Sequence, residues 1–202
     1  MARISKEKQD KIRKAIINTS RDYFYNDGFE KTSTKSIAKA VGIAEGTLFN
    51  YFDSKADLFF EVIKEDYVIH QPDEYDMNDM GEHISDVISS YIFKTIGFMI
   101  KLPKRITLEM LVATIKMGRK KPDKLRKLAE LDFQYMEKLK EFLDSLLEKG
   151  IIKCDDTKVM SEVIFGVLMF ELTMFLYDKD ISKAIFKTRL EHKIRLIMDG
   201  II

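Results

Sequence analysis

Thr47, Asn50, Tyr51 and Lys55 fall within nine residues of one another, and each carries a group that can bind a duplex. A phenol such as Tyr51 can donate to a phosphate while its ring lies on a sugar or a thymine methyl. Thr47 offers a hydroxyl and a methyl, and Asn50 can form a paired hydrogen bond with adenine. Lys55 stands where a helix begins, and free helix amides with an ammonium make a phosphate site. Gly46 lets the backbone approach, and Phe49 adds an aromatic face. Glu45 fits less well. A carboxylate is repelled by phosphates unless it accepts from a cytosine amine or points away.

Positioning such groups requires a rigid frame, and the surrounding residues supply one. The segment Thr34 to Leu58 reads TKSIAKAVGIAEGTLFNYFDSKADL. Ile37, Ala38 and Val41 form the apolar stripe of a first short helix over about 34–41. Gly42 supplies the turn, where a positive φ costs nothing without a Cβ. Small Ala38, four residues earlier, lets two helices cross closely, and Leu48, six residues later, returns an apolar contact to the crossing. This is the grammar of a helix-turn-helix, whose second helix, here about 45–51, presents its outward side to a major groove. Those outward residues are Glu45, Gly46, Thr47, Phe49, Asn50 and Tyr51, while Leu48 and Phe52 face the core. A helix from Lys6 to Asp27 precedes the pair and stops at Gly28. Residues Thr32 to Thr34 can cap the next helix. Ser54 caps a longer one reaching about His70, with Asp57 echoing a capping box.

The string AEGTLFNYFDSKADL, with Gly46, Phe49, Tyr51, Phe52, Lys55 and Leu58 at this spacing, resembles the TetR family of transcriptional regulators. The resemblance runs from about Ser5 to Leu58; the rest of the chain agrees in length and helicity only. It implies a phosphate contact at Thr34 and a homodimer built from two helices of each chain. The sequence departs from the family at three places. Phe49 lacks the hydroxyl of the usual tyrosine, Ala44 replaces a capping serine, and Glu45 brings its carboxylate. Lys35, Lys39 and the basic arm Arg3, Lys6, Lys8 and Lys11 add unspecific attraction or merely solvate their helices.

Composition is consistent with this reading. The chain has 202 residues, 46% hydrophobic and 33% charged, with three prolines and nine glycines, which suits long helices. Cys154 is the single cysteine, so no disulfide framework is available and a reducing, cytoplasmic setting is expected. The start ARISKEKQDKIRK has no apolar run, and no signal peptide is read there. The longest apolar stretch, Val163 to Tyr177, spans 15 residues and contains Glu171, where a membrane span needs about 20, so no membrane partner is expected. Net charge is +1 but unevenly spread: +3 over residues 1–60, −7 over 61–100, +8 over 101–127 and −3 over 128–202. A basic head before an acidic segment suits a DNA-binding module with a separate body.

The predicted architecture is all-α, about nine helices. Residues 1–70 form a three-helix helix-turn-helix head with its connecting helix, and 71–202 form a helical bundle body. The boundary is read at Gln71 to Gly81, which holds Pro72 and four acidic residues. Residues 159–177 are apolar nearly all round, and such a helix must be covered on every side. Helices near 156–178 and 182–200 are therefore candidates for the homodimer interface; alternatively the first is the centre of the monomer's own bundle. Tyr91, Phe98, Met110, Tyr135, Phe170 and Glu171 are candidate contacts for a small apolar or amphipathic effector, because methionines and aromatics can line a pocket. His83, Glu109 and Glu171 are polar groups on apolar faces. No Gly-rich phosphate loop, HExxH, GxSxG or Cys/His pair at metal spacing is present, so no catalytic residue, metal site or cofactor is expected. The function so read is a sequence-specific regulator, a repressor released by its ligand and partnered by an operator duplex. The alternatives are a helical ligand-binding or scaffolding protein without a DNA role, which salt-dependent duplex binding would exclude, and a helical enzyme.

Overall fold

A computed structural model of the chain describes residues 5–69, 83–120 and 122–200. Among the described residues there are nine helices and no strand: α1 (Lys6–Asp27), α2 (Thr34–Val41), α3 (Glu45–Phe49), α4 (Lys55–Ile69), α5 (Ile84–Lys101), α6 (Lys104–Lys120), α7 (Pro122–Glu148), α8 (Thr157–Tyr177) and α9 (Lys183–Met198). The all-α expectation holds. Arg3, the 71–81 boundary, Ile201 and Ile202 lie outside the described residues.

The chain divides into two compact units, Met1–Ile69 with Lys101–Leu125, and His70–Ile100 with Arg126–Ile202. A single cut at residue 70 would have left α6 in the body. Instead α6 stands with the head, because Leu102, Ile106 and Ala113 are buried in the same cluster as Ile16, Phe24, Ile37, Leu48, Phe52 and Phe59. Contact between α6 and α4 accounts for this.

In the first unit, local signals set the helix ends. Ser5 accepts from the Lys8 amide at 3.3 Å and starts α1. Ser54 accepts from the Asp57 amide at 3.1 Å, and the Asp57 carboxylate accepts from the Asp53 amide at 3.0 Å, one residue ahead of the usual box position. Phe24, Phe29 and Phe59 form an aromatic cluster with ring centroids 4.7–5.9 Å apart. Ion pairs lace α1 to α4: Arg13 to Glu61, and Arg21 to buried Asp66 at 2.6 Å. Tyr25 also donates to Asp66; burial first, then that carboxylate, holds its phenol far above the ordinary tyrosine range.

In the second unit, α8 carries two stripes of heptad-like spacing. Thr157, Ser161, Ile164, Leu168, Glu171 and Phe175 face inward and are buried. Val159, Val163, Gly166, Phe170, Thr173 and Tyr177 are exposed. By length and composition alone α8 could cross a membrane. Its buried face, however, holds Glu171 with no exposed surface, paired to Arg189 at 2.8 Å and to Lys193 of α9. An ion cluster like this belongs to a helix packed against protein.

Candidate nucleic-acid interface

The frame of the interface is built from short-range bonds. Ser33, not Thr34, caps α2: its hydroxyl accepts from the Ser36 amide at 3.0 Å. At the other end Gly42 adopts φ 79° and ψ 30°. There the Ile43 amide reaches Ala38 O at 2.9 Å and the Gly42 amide reaches Lys39 O at 3.1 Å. This is a Schellman ending, and it needs a residue tolerant of the left-handed region. Ile37, Ala38 and Leu48 are buried at the crossing of α2 and α3. The α3 helix is one turn and a half, ending at Phe49, two residues short of the expected end. Asn50 caps its C-terminus, and Tyr51 follows in a turn held by its amide on Leu48 O at 3.0 Å.

The crossing leaves a distinct outer face. Gly46, Phe49 and Asn50 are exposed, and Thr47 and Tyr51 are partly so. Phe49 keeps 44% of its surface in water. A Cβ added at Gly46 would meet nothing within 4 Å, so nothing inside the chain requires glycine there. Tyr51 packs against the head core and stays partly exposed. Lys35 is exposed beside Thr34.

Thr34 and Glu45 resolve each other. The Thr34 hydroxyl donates to a Glu45 carboxylate oxygen at 2.6 Å, joining the starts of α2 and α3. Ala44 makes no side-chain cap, and Glu45 occupies the first turn of α3, where helix amides favour negative charge. The carboxylate is thus drawn back onto α2. In the free protein the Thr34 hydroxyl is engaged with Glu45.

Lys55 is also turned inward. Its ammonium lies 2.7 Å from Phe29 O, 3.1 Å from Thr32 O and 3.4 Å from Glu30 O, and 4.4 Å from the centre of the Phe29 ring. An ammonium has three donors, and these carbonyls account for them. The chain from Gly28 to Thr32, which delivers α2, is therefore clamped by α4. Sequence spacing showed Lys55 at a helix start but not where its side chain goes, because its partners lie 23–26 residues away.

Among the described side chains, the candidate effector contacts of the second unit lie in different surroundings. Tyr91 is buried and stacks on Phe142 with centroids 4.4 Å apart. Burial, then the charge of Glu141, pushes its phenol up to about 12. Tyr135 is buried beside Phe165. Phe170 lies on the outer stripe of α8, 54% exposed, with the Lys193 ammonium 4.7 Å from its ring centre. Glu171 is bound by Arg189 and Lys193; its place in an ion cluster replaces a ligand-orienting one. Burial works to raise its pKa, and the hydrogen bonds from the two cations outweigh this and hold it below the usual carboxylate range. The side chains of Phe98 and Met110 fall outside what the structure describes. Among the described residues no group of His, Cys, Asp and Glu could hold a metal ion.

Residues 16–62 match the model of the bacterial regulatory proteins, tetR family. The nucleoid occlusion factor SlmA of Actinobacillus pleuropneumoniae is 36% identical over 59 residues, 29% of this chain and 28% of that protein. The HTH-type transcriptional regulator AcrR of Shigella flexneri is 36% identical over 62 residues, 31% of this chain and 29% of that one. The chain thus spans under a third of the length of these curated relatives. A TetR-family regulator structure from Mesorhizobium loti superposes with a TM-score of 0.73 at 17% identity, covering 95% of this chain and 96% of that one. Thermus thermophilus FadR, a TetR-family repressor solved with lauroyl-CoA, gives 0.63 at 19% identity, covering 94% and 95%. At such identity these structures establish the shared fold.

Proposed function

We propose that this chain, whose head belongs to the TetR family of bacterial regulatory proteins, is a sequence-specific DNA-binding transcriptional regulator of the cytoplasm. One observation carries the reading. The crossing of α2 and α3 is fully buried, yet α3 turns Gly46, Phe49 and Asn50 to water with part of Thr47 and Tyr51. Groups that donate, stack and permit close approach, on a helix too short to be kept for packing, fit a major groove. Tyr51 then meets phosphate with its hydroxyl, and Thr47 and Asn50 choose bases. Gly46 admits the backbone, Phe49 lies on sugar or a thymine methyl, and Thr34 and Lys35 approach the phosphates at the α2 start. Lys55 acts at one remove, by holding the chain that precedes α2.

The working unit is a homodimer formed through α8 and α9. The outer stripe of α8 supports this, since Val159, Val163, Phe170 and Tyr177 are 43–69% exposed along its length. Eighteen helical residues span about 27 Å, and an apolar seam of that length suits a second copy of the same helix. A Cβ at Gly166 would meet nothing within 4 Å, so glycine there leaves room for a close crossing. The regulator represses until a small apolar or amphipathic molecule binds the second unit. The lauroyl-CoA bound by the FadR homologue in fold supports that class of effector.

The test is selection of duplexes from a random pool, followed by binding at two salt concentrations. A palindromic winner whose affinity falls with salt is the expected result. Weak binding that ignores sequence, or no binding, would leave the scaffolding alternative standing.

A further inference from the structure

Glu109 of α6 reaches the head from the far side of the turn that Lys55 clamps. One carboxylate oxygen accepts from the Phe29 amide at 2.6 Å and lies 3.4 Å from the Glu30 amide. The other accepts from Arg105 at 2.6 Å, and Arg105 reaches the Asp27 carbonyl at 3.4 Å. The Glu109 side chain is only 18% exposed. The turn therefore has its amides taken by α6 and its carbonyls taken by α4. Between them sits Gly28 at φ 92° and ψ 163°, a region open almost only to glycine. A Cβ there would lie 2.6 Å from the Arg105 guanidinium and 2.8 Å from the Glu109 carboxylate.

We infer that Glu109 is a positioning residue for DNA binding: it fixes the 28–30 turn, and through it the start of α2 and the Thr34–Glu45 contact. The inference rests on the DNA-binding reading above. Its physical basis is independent of that reading. Two successive amides just past the end of α1 point at α6, and a part-buried carboxylate supplies a charge-assisted acceptor about twice as strong as a neutral one. Without it the Phe29 and Glu30 amides lose their acceptor, while the carbonyl side keeps Lys55 and the Thr32 hydroxyl and amide on Gly28 O. The turn leads into Ser33 and Thr34 within five residues, so a shift there is passed to the α2 start with little chain to absorb it. Sequence shows Glu109 only as a polar residue on an apolar helix; its partner lies 80 residues away.

The experiment compares Glu109→Ala, Glu109→Gln and the exposed α6 control Val112→Ala. Three quantities are measured: affinity for the selected duplex at two salt concentrations, the thermal midpoint, and hydrogen exchange at the Phe29, Ile37 and Leu48 amides. Glu109→Ala is expected to weaken the operator complex about tenfold or more, the scale of one charge-assisted hydrogen bond. The salt slope stays unchanged, since no phosphate contact is removed. Phe29 loses protection while Ile37 and Leu48 keep theirs. Glu109→Gln, whose amide oxygen can still accept from Phe29, recovers most of the affinity; Val112→Ala matches the parent. Affinity within twofold of the parent for Glu109→Ala, or Phe29 protection unchanged, overturns the inference. Equal loss of protection at Phe29, Ile37 and Leu48 would make Glu109 a general stabiliser and overturn it too. If Glu109→Ala does not fold, Glu109→Gln decides alone, through Phe29 exchange and affinity at an unchanged midpoint. A parent protein that binds no duplex removes the DNA-binding reading but leaves the exchange result to judge the latch.

Discussion

The outer faces of α3 and α8 are both left to water, and they are opposites. The face of α3 and the turn after it spans the six residues Gly46 to Tyr51 and mixes amide, hydroxyl, phenol and ring around a glycine. The α8 stripe runs for 19 residues and carries Val159, Val163, Gly166, Phe170, Thr173 and Tyr177, beside exposed Met169 and the charged Glu162. What supports each face differs in the same sense. Behind α3 the polar groups are spent on backbone: Ser33 on an amide, Lys55 on carbonyls, Glu109 on amides. Behind α8 a carboxylate is spent on two cations of a neighbouring helix. A face that must present directional groups needs a backbone fixed to fractions of an ångström. A face that only buries apolar area needs no such fixing of single groups; the helix is held in rotation by its own buried stripe, Ile164, Leu168 and Phe175, with the ion cluster added to it.

The largest expected effect breaks the α8 side of this contrast. Val163→Glu places a charge on the outer stripe at a position already 43% exposed, so the monomer's own packing is little disturbed. Sedimentation should show the dimer lost. Operator affinity should fall by about 10²–10⁴, because two linked heads exceed one by that factor. An unchanged sedimentation coefficient would return α8 to the role of a bundle helix with an unclaimed face.

Asn50→Ala addresses the α3 side. It should cost about 1–3 kcal/mol on the preferred duplex and relax choice at one base pair per half-site. Uniform loss on every sequence would remove Asn50 from base reading. The stability of the head should not move, since Asn50 is exposed at the end of α3.

Lys55→Met separates a clamp from a phosphate ligand, retaining the apolar stem over Phe29. A phosphate ligand lost would lower the salt slope by about one. A clamp lost should lower the stability of the head by about 1.5–3 kcal/mol, the net worth of a hydrogen bond to a charged group. The salt slope should hold while affinity falls on all sequences. Circular dichroism melts and binding at two salt concentrations give both readings.

These variants also mark where sequence was sufficient. The ends of α1 and α2 and the crossing at Ala38, Gly42 and Leu48 were legible, because caps and glycine turns act over three to six residues. The Thr34 to Leu58 segment therefore came through almost whole. The destinations of Lys55, Glu45 and Glu109 were not legible. Their partners lie 11 to 80 residues away, and no periodicity points from a side chain to a backbone amide on another helix. The place of α6 with the head lay beyond sequence for the same reason: nothing in the types of Leu102, Ile106 and Ala113 says which core they join. Glu171 lay between. Arg189 and Lys193 stand four residues apart on one face of α9, so a paired site was written there, while its partner across the hairpin was not.

The smallest effect sharpens what the inner side of α8 contributes. The Glu171 carboxylate is held below its ordinary range in the folded chain. A depressed carboxylate gives stability that is present above the unfolded value and lost as pH falls through the folded one. The thermal midpoint of Glu171→Gln should therefore lie below that of the parent at neutral pH. The gap should close as the solution is taken from the usual carboxylate range into stronger acid. Its size is bounded by the cations rather than by the carboxylate. Arg189 and Lys193 keep 38% and 32% of their side-chain surface in water, so they stay hydrated when unpaired and the gap should be only about 1 kcal/mol. Because Glu171 lies on the buried stripe, the variant should still sediment as a dimer at neutral pH, where Val163→Glu does not. A dimer lost in both variants would mean that the two stripes of α8 are not independent, and that the ion cluster sets the rotation on which the outer seam depends.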